Sequence, residues 1–327
     1  MELPPYLRQA IERELNGVPL AELRQASDTL SRRYRSETRD GRWHLDGELA
    51  VKAYLAARLP ATYAAIRASM TALSEASPDF QPRSFLDVGA GPGTALWAAA
   101  DCWTGLEHAV LVEASAPARD AGARLASGAR LPAFEWLAGD VTAAGLPAGR
   151  KFDLVTIAYV LDELQPQAIA SLVEQLWNLT DGTLLIVEPG TPAGWRRILD
   201  ARRQLLSLGA NLAAPCPHEA PCPLVAPDWC HFSQRVPRSR LHRLAKSGDV
   251  PWEDEKFIYL VASGEPASTN AARVLAPPRA ASGRTTLKLC NPEGTLSELT
   301  VSRRDGTIYK QARRLDWGDR LDIAHGG

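Results

Sequence analysis

One octapeptide restricts this chain more than any other feature: Asp87-Val88-Gly89-Ala90-Gly91-Pro92-Gly93-Thr94. It completes a short apolar run at 84–88 and opens a helix-forming stretch at 95–102. Glycines at alternate positions serve where backbone must take a positive φ or pass close to a ligand. The spacing G-x-G-x-G differs from the G-x-G-x-x-G of dinucleotide sites, although its place between strand and helix is the same. Pro92 has no N–H, which weighs against a phosphate-cradling nest.

Downstream the texture repeats. Strand-like runs at 108–113, 134–137, 152–160 and 183–188 alternate with helix-forming stretches at 116–126, 166–179 and 192–208, and 256–262 supplies a sixth strand. Such alternation predicts an α/β fold, a parallel sheet with helices on both faces. Residues 1–78 read as helical: Tyr63, Ile66, Met70 and Leu73 mark one buried helix face, and Ser77-Pro78 closes the run. Four parts are expected. They are a helical cap (1–78), the α/β core (79–210 plus 250–263), a Cys-rich and basic insertion between strands five and six (211–249), and a linker with a small β-rich extension (264–327). Within the extension, strands at 285–289, 296–302 and 307–311 are expected, the last two joined by an Asp305-Gly306 hairpin turn.

With 327 residues, 45% hydrophobic and 23% charged, the chain has ample core-forming material. Whole-chain disorder and a disulfide miniprotein are excluded. No apolar run approaches the about 18 residues of a membrane span, so no membrane partner is expected. The first residues are charged and helix-like, without the apolar centre of a signal peptide, and five cysteines are too few for a secreted scaffold. Both readings favour a reducing, cytoplasmic location.

Acidic residues end the first three strands. Asp87 closes the first, Glu113 the second, where a carboxylate can accept from both ribose hydroxyls, and Asp140 follows the third, where it can hold an adenine amino group. Together with the Gly turn, this set resembles the S-adenosylmethionine (SAM) site of class I methyltransferases over about residues 83–190. The resemblance implies a Rossmann-like, doubly wound sheet. It also implies SAM held by Asp87, Gly89, Gly91, Gly93, Glu113 and Asp140, with the methionine end over the Gly turn. A tight turn in an unliganded α/β domain is the plainer alternative. After strand four, many amino-methylating enzymes carry an Asn/Asp-Pro-Pro-aromatic motif; here stands Ala158-Tyr159-Val160-Leu161-Asp162-Glu163-Leu164. Tyr159 is a candidate to stack on a base, and Asp162 or Glu163 to act as general base. Alternatively Tyr159 packs and the carboxylates open the next helix.

Cys216, Cys222 and Cys230 follow C-x5-C-x7-C in a Pro-rich segment, and Cys290 comes after 59 intervening residues. Four thiolates suit either tetrahedral zinc or an iron–sulfur cluster. The C-x2–4-C knuckles usual for zinc are missing, and wide, irregular spacing suits a larger cofactor. Buried structural cysteines are the alternative, and Cys102 reads as a core thiol.

The stretch 231–246 carries Arg235, Arg238, Arg240, Arg243 and Lys246 and no acid, interleaved with Phe232 and two histidines. Charge of this kind beside stacking groups points to RNA, against the alternative of a solvated surface. From 228 onward there are 16 Lys+Arg against 12 Asp+Glu, so an overall charge of −1 leaves −5 on the first 227 residues.

These segments, with Pro251-Trp252-Glu253-Asp254-Glu255-Lys256-Phe257, Leu289-Cys290 and Trp317-Gly318-Asp319, resemble the methyltransferase-like family of mitochondrial small-ribosomal-subunit (Rsm-type) proteins and their bacterial homologues. The resemblance spans roughly 30–320. It implies a SAM-binding protein with a [4Fe–4S] cluster on Cys216, Cys222, Cys230 and Cys290, acting on or beside small-subunit ribosomal RNA in ribosome maturation or translation. Methyl transfer and a non-catalytic assembly role both fit that family. A small-molecule methyltransferase with structural zinc is a further rival.

Overall fold

The computed structural model describes residues 1–141, 145–246, 250–266 and 271–322; of Lys246 it describes only the backbone. Four helices come first: α1 (Pro5–Leu15), α2 (Leu20–Arg35), α3 (Glu48–Ala57) and α4 (Leu59–Ala76). Pro5 and Pro60 sit in first turns, where a missing N–H costs nothing. Tyr63, Ile66, Met70 and Leu73 are at most 1% exposed, so the 3-4-3 spacing marks the face that α4 buries.

Next come β1 (Ser84–Val88), α5 (Thr94–Cys102), β2 (His108–Glu113), α6 (Ala116–Ala126), β3 (Ala133–Ala138), β4 (Phe152–Ala158), α7 (Pro166–Asn178), β5 (Thr180–Pro189) and α8 (Pro192–Ser207). They are followed by β6 (Asn211–Ala214), β7 (Phe232–Pro237), α9 (Arg240–Lys246) and β8 (Trp252–Ser263). The strands lie in the order β3-β2-β1-β4-β5-β8-β6, with β7 also paired to β8. β1 to β5 are parallel, while β8 runs antiparallel to β5, β6 and β7. Strand direction along the sheet reverses its sequence order at β1, and such switch points open a crevice at the carboxyl ends of the strands. β1 is buried along its whole length, as a parallel strand covered on both faces must be.

The stretch between strands five and eight is therefore part of the sheet rather than an insertion beside it. β6 pairs with the carboxyl-terminal half of β8 and β7 with its amino-terminal half. The cysteine-bearing loop 215–231 crosses from one to the other. This corrects the expectation of an insertion between a fifth and a sixth strand: β6 is only four residues long and shows no alternating pattern of its own.

The C-terminal unit contains β9 (Ala271–Val274), β10 (Arg279–Ala281), β11 (Arg284–Cys290), β12 (Leu296–Ser302), α10 (Gly306–Ala312) and β13 (Arg320–Asp322). Its strands form a second sheet around a small core of Val274, Leu287, Leu289, Val301, Tyr309 and Leu321. The stretch expected as a linker thus supplies β9 and β10. The expected 305–306 hairpin is not formed either. Ser302 and Asp305 make a capping box, with the Ser302 N–H donating to Asp305 at 2.6 Å, and the chain turns into a 3₁₀ turn and α10. Helix places Tyr309 and Ala312 together in the small core.

Candidate functional site

The crevice lies over the Gly turn. Its floor is Asp87, Gly89, Gly91, Glu113 and Gly139, and its roof is Tyr34, Trp43, His44, Leu45 and Tyr54 from the helical cap. Gly89, Gly91 and Gly93 have φ of +71°, +54° and +81°. A Cβ on Gly89 would stand 2.4 Å from Val160 Cγ2, so only glycine serves there. Gly93 caps α5 and packs on Trp136. The Gly91 N–H donates to one Glu113 oxygen at 2.8 Å and the Ser115 N–H to the other at 2.7 Å, leaving each oxygen a second lone pair. Burial raises the Glu113 carboxyl against these two bonds. Asp87 is buried and accepts from Thr156 Oγ1 at 2.6 Å; burial, with Glu113 nearby, pushes it up to about 7. Gly139 and Val141, on either side of Asp140, line the same crevice.

The loop after β4 is tied down. Tyr159 has φ +59°, a left-handed conformation that a bulky side chain rarely takes. Its hydroxyl donates to Glu255 at 3.0 Å, and Glu255 also pairs with Arg58 at 3.2 Å. Burial and the Glu255 charge hold the phenol well above its usual range, so it remains protonated. Asp162 is 1% exposed, and neither carboxyl oxygen has a hydrogen-bond partner among the described residues. Burial and the Glu163 charge raise it. Glu163 lines the crevice and lies 3.0 Å from His44 Nδ1.

Glu188, fully buried at the end of β5, shares Arg197 with Glu37: the distances are 2.6 and 3.0 Å. Arg39 Nε donates to the Asp162 carbonyl at 3.1 Å, and Ser115 Oγ donates to the Leu45 carbonyl. Residues 37–45 are therefore strapped to the core at four points: Glu37, Arg39, His44 and Leu45. Nothing in the local sequence signals this strap, because every partner is at least 70 positions away.

Cys216, Cys222 and Cys230 sit in the loop 215–231, and Cys290 ends β11 in the other sheet. None forms a disulfide. Burial pushes the Cys290 thiol up to about 12, with Cys216 and Cys222 contributing. Burial raises Cys230 well above its usual range, reinforced by Cys216, Cys222 and Cys290. The end of β11 abuts the loop between Cys216 and Cys222, where Cys290 meets His218. Among the described residues, no group of three or more His, Cys, Asp or Glu side chains is arranged to hold a single metal ion. His218 Nδ1 contacts the Ala220 carbonyl at 3.1 Å, which assigns its proton to Nδ1 and leaves Nε2, 3.3 Å from Cys290 Sγ, as acceptor.

The basic stretch is partly neutralised. Register places Arg235 opposite Asp254, and they pair at 2.9 Å; Arg238 pairs with Glu253 at 3.2 Å. Arg240 and Arg243 are exposed on α9, and the Lys246 side chain lies outside the described residues. Arg284, Arg303, Arg304, Lys310, Arg313 and Arg314 are exposed on the C-terminal unit and form no ion pair with a described carboxylate.

A sheet of this order, its last long strand antiparallel and its Gly turn beneath a capped crevice, defines a class I methyltransferase-type domain. The chain belongs to the Rsm22 family: the family model, described as mitochondrial small ribosomal subunit Rsm22, matches residues 48–322. It is 31% identical over 287 residues to the human "Ribosome assembly protein METTL17, mitochondrial", covering 83% of this chain and 62% of that protein. It is 26% identical over 324 residues to the fission-yeast "Rsm22-cox11 tandem protein 2, mitochondrial", covering 84% of this chain and 43% of that one. The chain thus spans less than two thirds of these relatives.

Among solved structures it is similar to an O-methyltransferase family protein from Burkholderia thailandensis (14% identity, 76% of this chain and 72% of that one, TM-score 0.46). It is also similar to magnesium protoporphyrin IX methyltransferase from Synechocystis with bound SAM (14%, 72% and 91%, 0.40). At these scores the fold assignment rests on the strand order itself. The cytoplasmic expectation is overturned, since the family and the curated relatives are mitochondrial. Reduced thiols mark a reducing compartment and do not say which one.

Proposed function

We propose that this chain is a SAM-binding, methyltransferase-like assembly protein of the small ribosomal subunit, of mitochondrial type, braced by an iron–sulfur cluster on Cys216, Cys222, Cys230 and Cys290. The observation that carries the assembly role is the commitment of the post-β4 loop. Tyr159 is hydrogen-bonded to Glu255, Asp162 is sealed, and Glu163 is engaged by His44 under the strap. The crevice offers SAM a floor, while none of these three groups is free to take a proton from an incoming base. The names of the human and yeast relatives support the ribosomal setting.

In this reading Glu113 accepts from the ribose hydroxyls with its remaining lone pairs, Asp140 meets the adenine edge, and the methionine end lies over Gly89, Gly91 and Gly93 near Asp87. The wide, irregular spacing of Cys216, Cys222, Cys230 and Cys290, without a C-x2–4-C knuckle, favours a multi-iron cluster over zinc. Cys216, Cys222 and Cys230 on the loop 215–231 and Cys290 at the end of β11 would hold such a cluster, and their four bonds to it would tie the loop to β11. Arg240, Arg243 and the free arginines of the C-terminal unit then contact RNA phosphates, while Arg235 and Arg238 chiefly hold β7 on β8. Incubation with methyl-labelled SAM and small subunits from successive assembly stages tests the reading. The expected result is SAM bound in the crevice and no label in RNA at any stage; labelled RNA or failure to bind SAM contradicts it.

A further inference from the structure

Three arginines are buried among the described residues, Arg197, Arg202 and Arg273, at 9%, 5% and 5% exposure. A buried cation without a counter-charge is strongly unfavourable. Arg197 has two carboxylates, Glu188 and Glu37. Arg202, five residues further along α8, has none among the described residues. Its Nη2 donates to the carbonyls of His218 and Ala220 at 2.9 and 2.7 Å, and its Nε has no partner among the described residues. Among the described residues Arg273 likewise donates only to carbonyls, those of Pro215 at 2.9 Å and Gly318 at 2.7 Å.

Both side chains converge on the cysteines. Pro215 precedes Cys216, and His218 and Ala220 lie between Cys216 and Cys222. Arg273 is the cross-strand partner of Cys290. Arg202 is held against the segment between Cys216 and Cys222, and Arg273 against the residue before Cys216 and beside Cys290, whose Sγ is 3.3 Å from His218 Nε2. Two cations thus bracket the sulfur group from the α8 side and the β9 side.

We propose that Arg202 and Arg273 are the counter-charges of the cysteine centre: two guanidiniums placed where four thiolates on an iron–sulfur core leave a net charge of about −2. This rests on the cluster assigned above. The carbonyl bonds fix each guanidinium in place, and its charge favours the more negative, reduced state of the cluster, raising its potential. They are positioning residues, not ligands.

The full chain is purified anaerobically as wild type, Arg202→Gln, Arg273→Gln, Arg202→Lys and Arg273→Lys, and each is analysed for iron and titrated by visible absorbance against redox mediators. At the wild-type midpoint, each Gln variant should show a reduced fraction lower by about tenfold in ratio, about 59 mV for one electron. The Lys variants should recover most of it, although lysine cannot reproduce the paired carbonyl bonds. Iron lost from the Gln variants but kept by the Lys variants supports the same role. Iron lost from both kinds assigns the arginines to loop structure and overturns it. Gln variants that keep iron and titrate with the wild type overturn the counter-charge role and leave the cluster standing. A wild type without iron overturns both.

Discussion

Glu37 and Arg197, 160 positions apart, meet at 3.0 Å and fasten the helical cap to α8. The same guanidinium holds Glu188 at the end of β5, so one side chain joins the roof of the crevice to the sheet beneath it. Arg197→Met should leave Glu188 buried and unpaired, destabilising the chain by about 3–5 kcal/mol. It should also speed SAM dissociation by freeing the strap. Denaturant unfolding and stopped-flow release measure the two effects, and a variant as stable as wild type would remove Arg197 from this role.

Gly89 has no alternative residue. Its φ of +71° and the 2.4 Å approach to Val160 act together. Gly89→Ala should cost about 1–3 kcal/mol of stability and weaken SAM binding at least tenfold, about 1.4 kcal/mol. Gly105 has an ordinary φ and open space around its Cβ position, so Gly105→Ala should change stability by no more than about 0.5 kcal/mol. Equal effects at the two positions would contradict the turn's role.

The Asp87 carboxyl sits at about 7, against an ordinary value near 3.8. Between about pH 4 and 7 the folded chain therefore holds a proton that the unfolded chain has lost. Unfolded binds fewer protons, so stability falls as pH rises through that window. Asp87→Asn should flatten the decline when SAM-free protein is unfolded at pH 5 and pH 7.5. Asp162 and Glu188, raised by burial, contribute the same sign and leave a residual slope. A slope unchanged by Asp87→Asn would show that Asp87 titrates normally.

Arg303→Ala with Arg304→Ala should weaken binding to small-subunit RNA and reduce the salt slope of log K by about 2, roughly one per lost phosphate contact. Arg235→Ala with Arg238→Ala should alter the slope less, since Asp254 and Glu253 already offset those charges. It should lower the melting temperature more, by loosening β7. The reverse ranking would return the RNA face to β7.

How much of this could be read from the residues alone depends on the range of the interaction. The Gly turn, the βα alternation and the face of Tyr63, Ile66, Met70 and Leu73 are local patterns, and they survive into the fold. The pairing of Arg235 with Asp254 is hidden until an antiparallel register is known, so a run that looks cationic is half neutralised. The Asp305-Gly306 pair carries a hairpin signal, but Ser302 and Asp305 cap a helical turn first, and the small core needs Tyr309 and Ala312 on one face. The strap over the crevice and the carbonyl-bonded setting of Arg202 and Arg273 depend on contacts across the whole chain. Only the folded arrangement contains them.

Iron, sulfide and zinc analysis of the anaerobically purified chain, beside Cys222→Ser, reaches the centre of the account most directly. About four irons per chain are expected in the wild type, with most of that iron lost in Cys222→Ser while SAM affinity stays within about twofold. Zinc alone, no metal, or an iron content indifferent to Cys222 would contradict it.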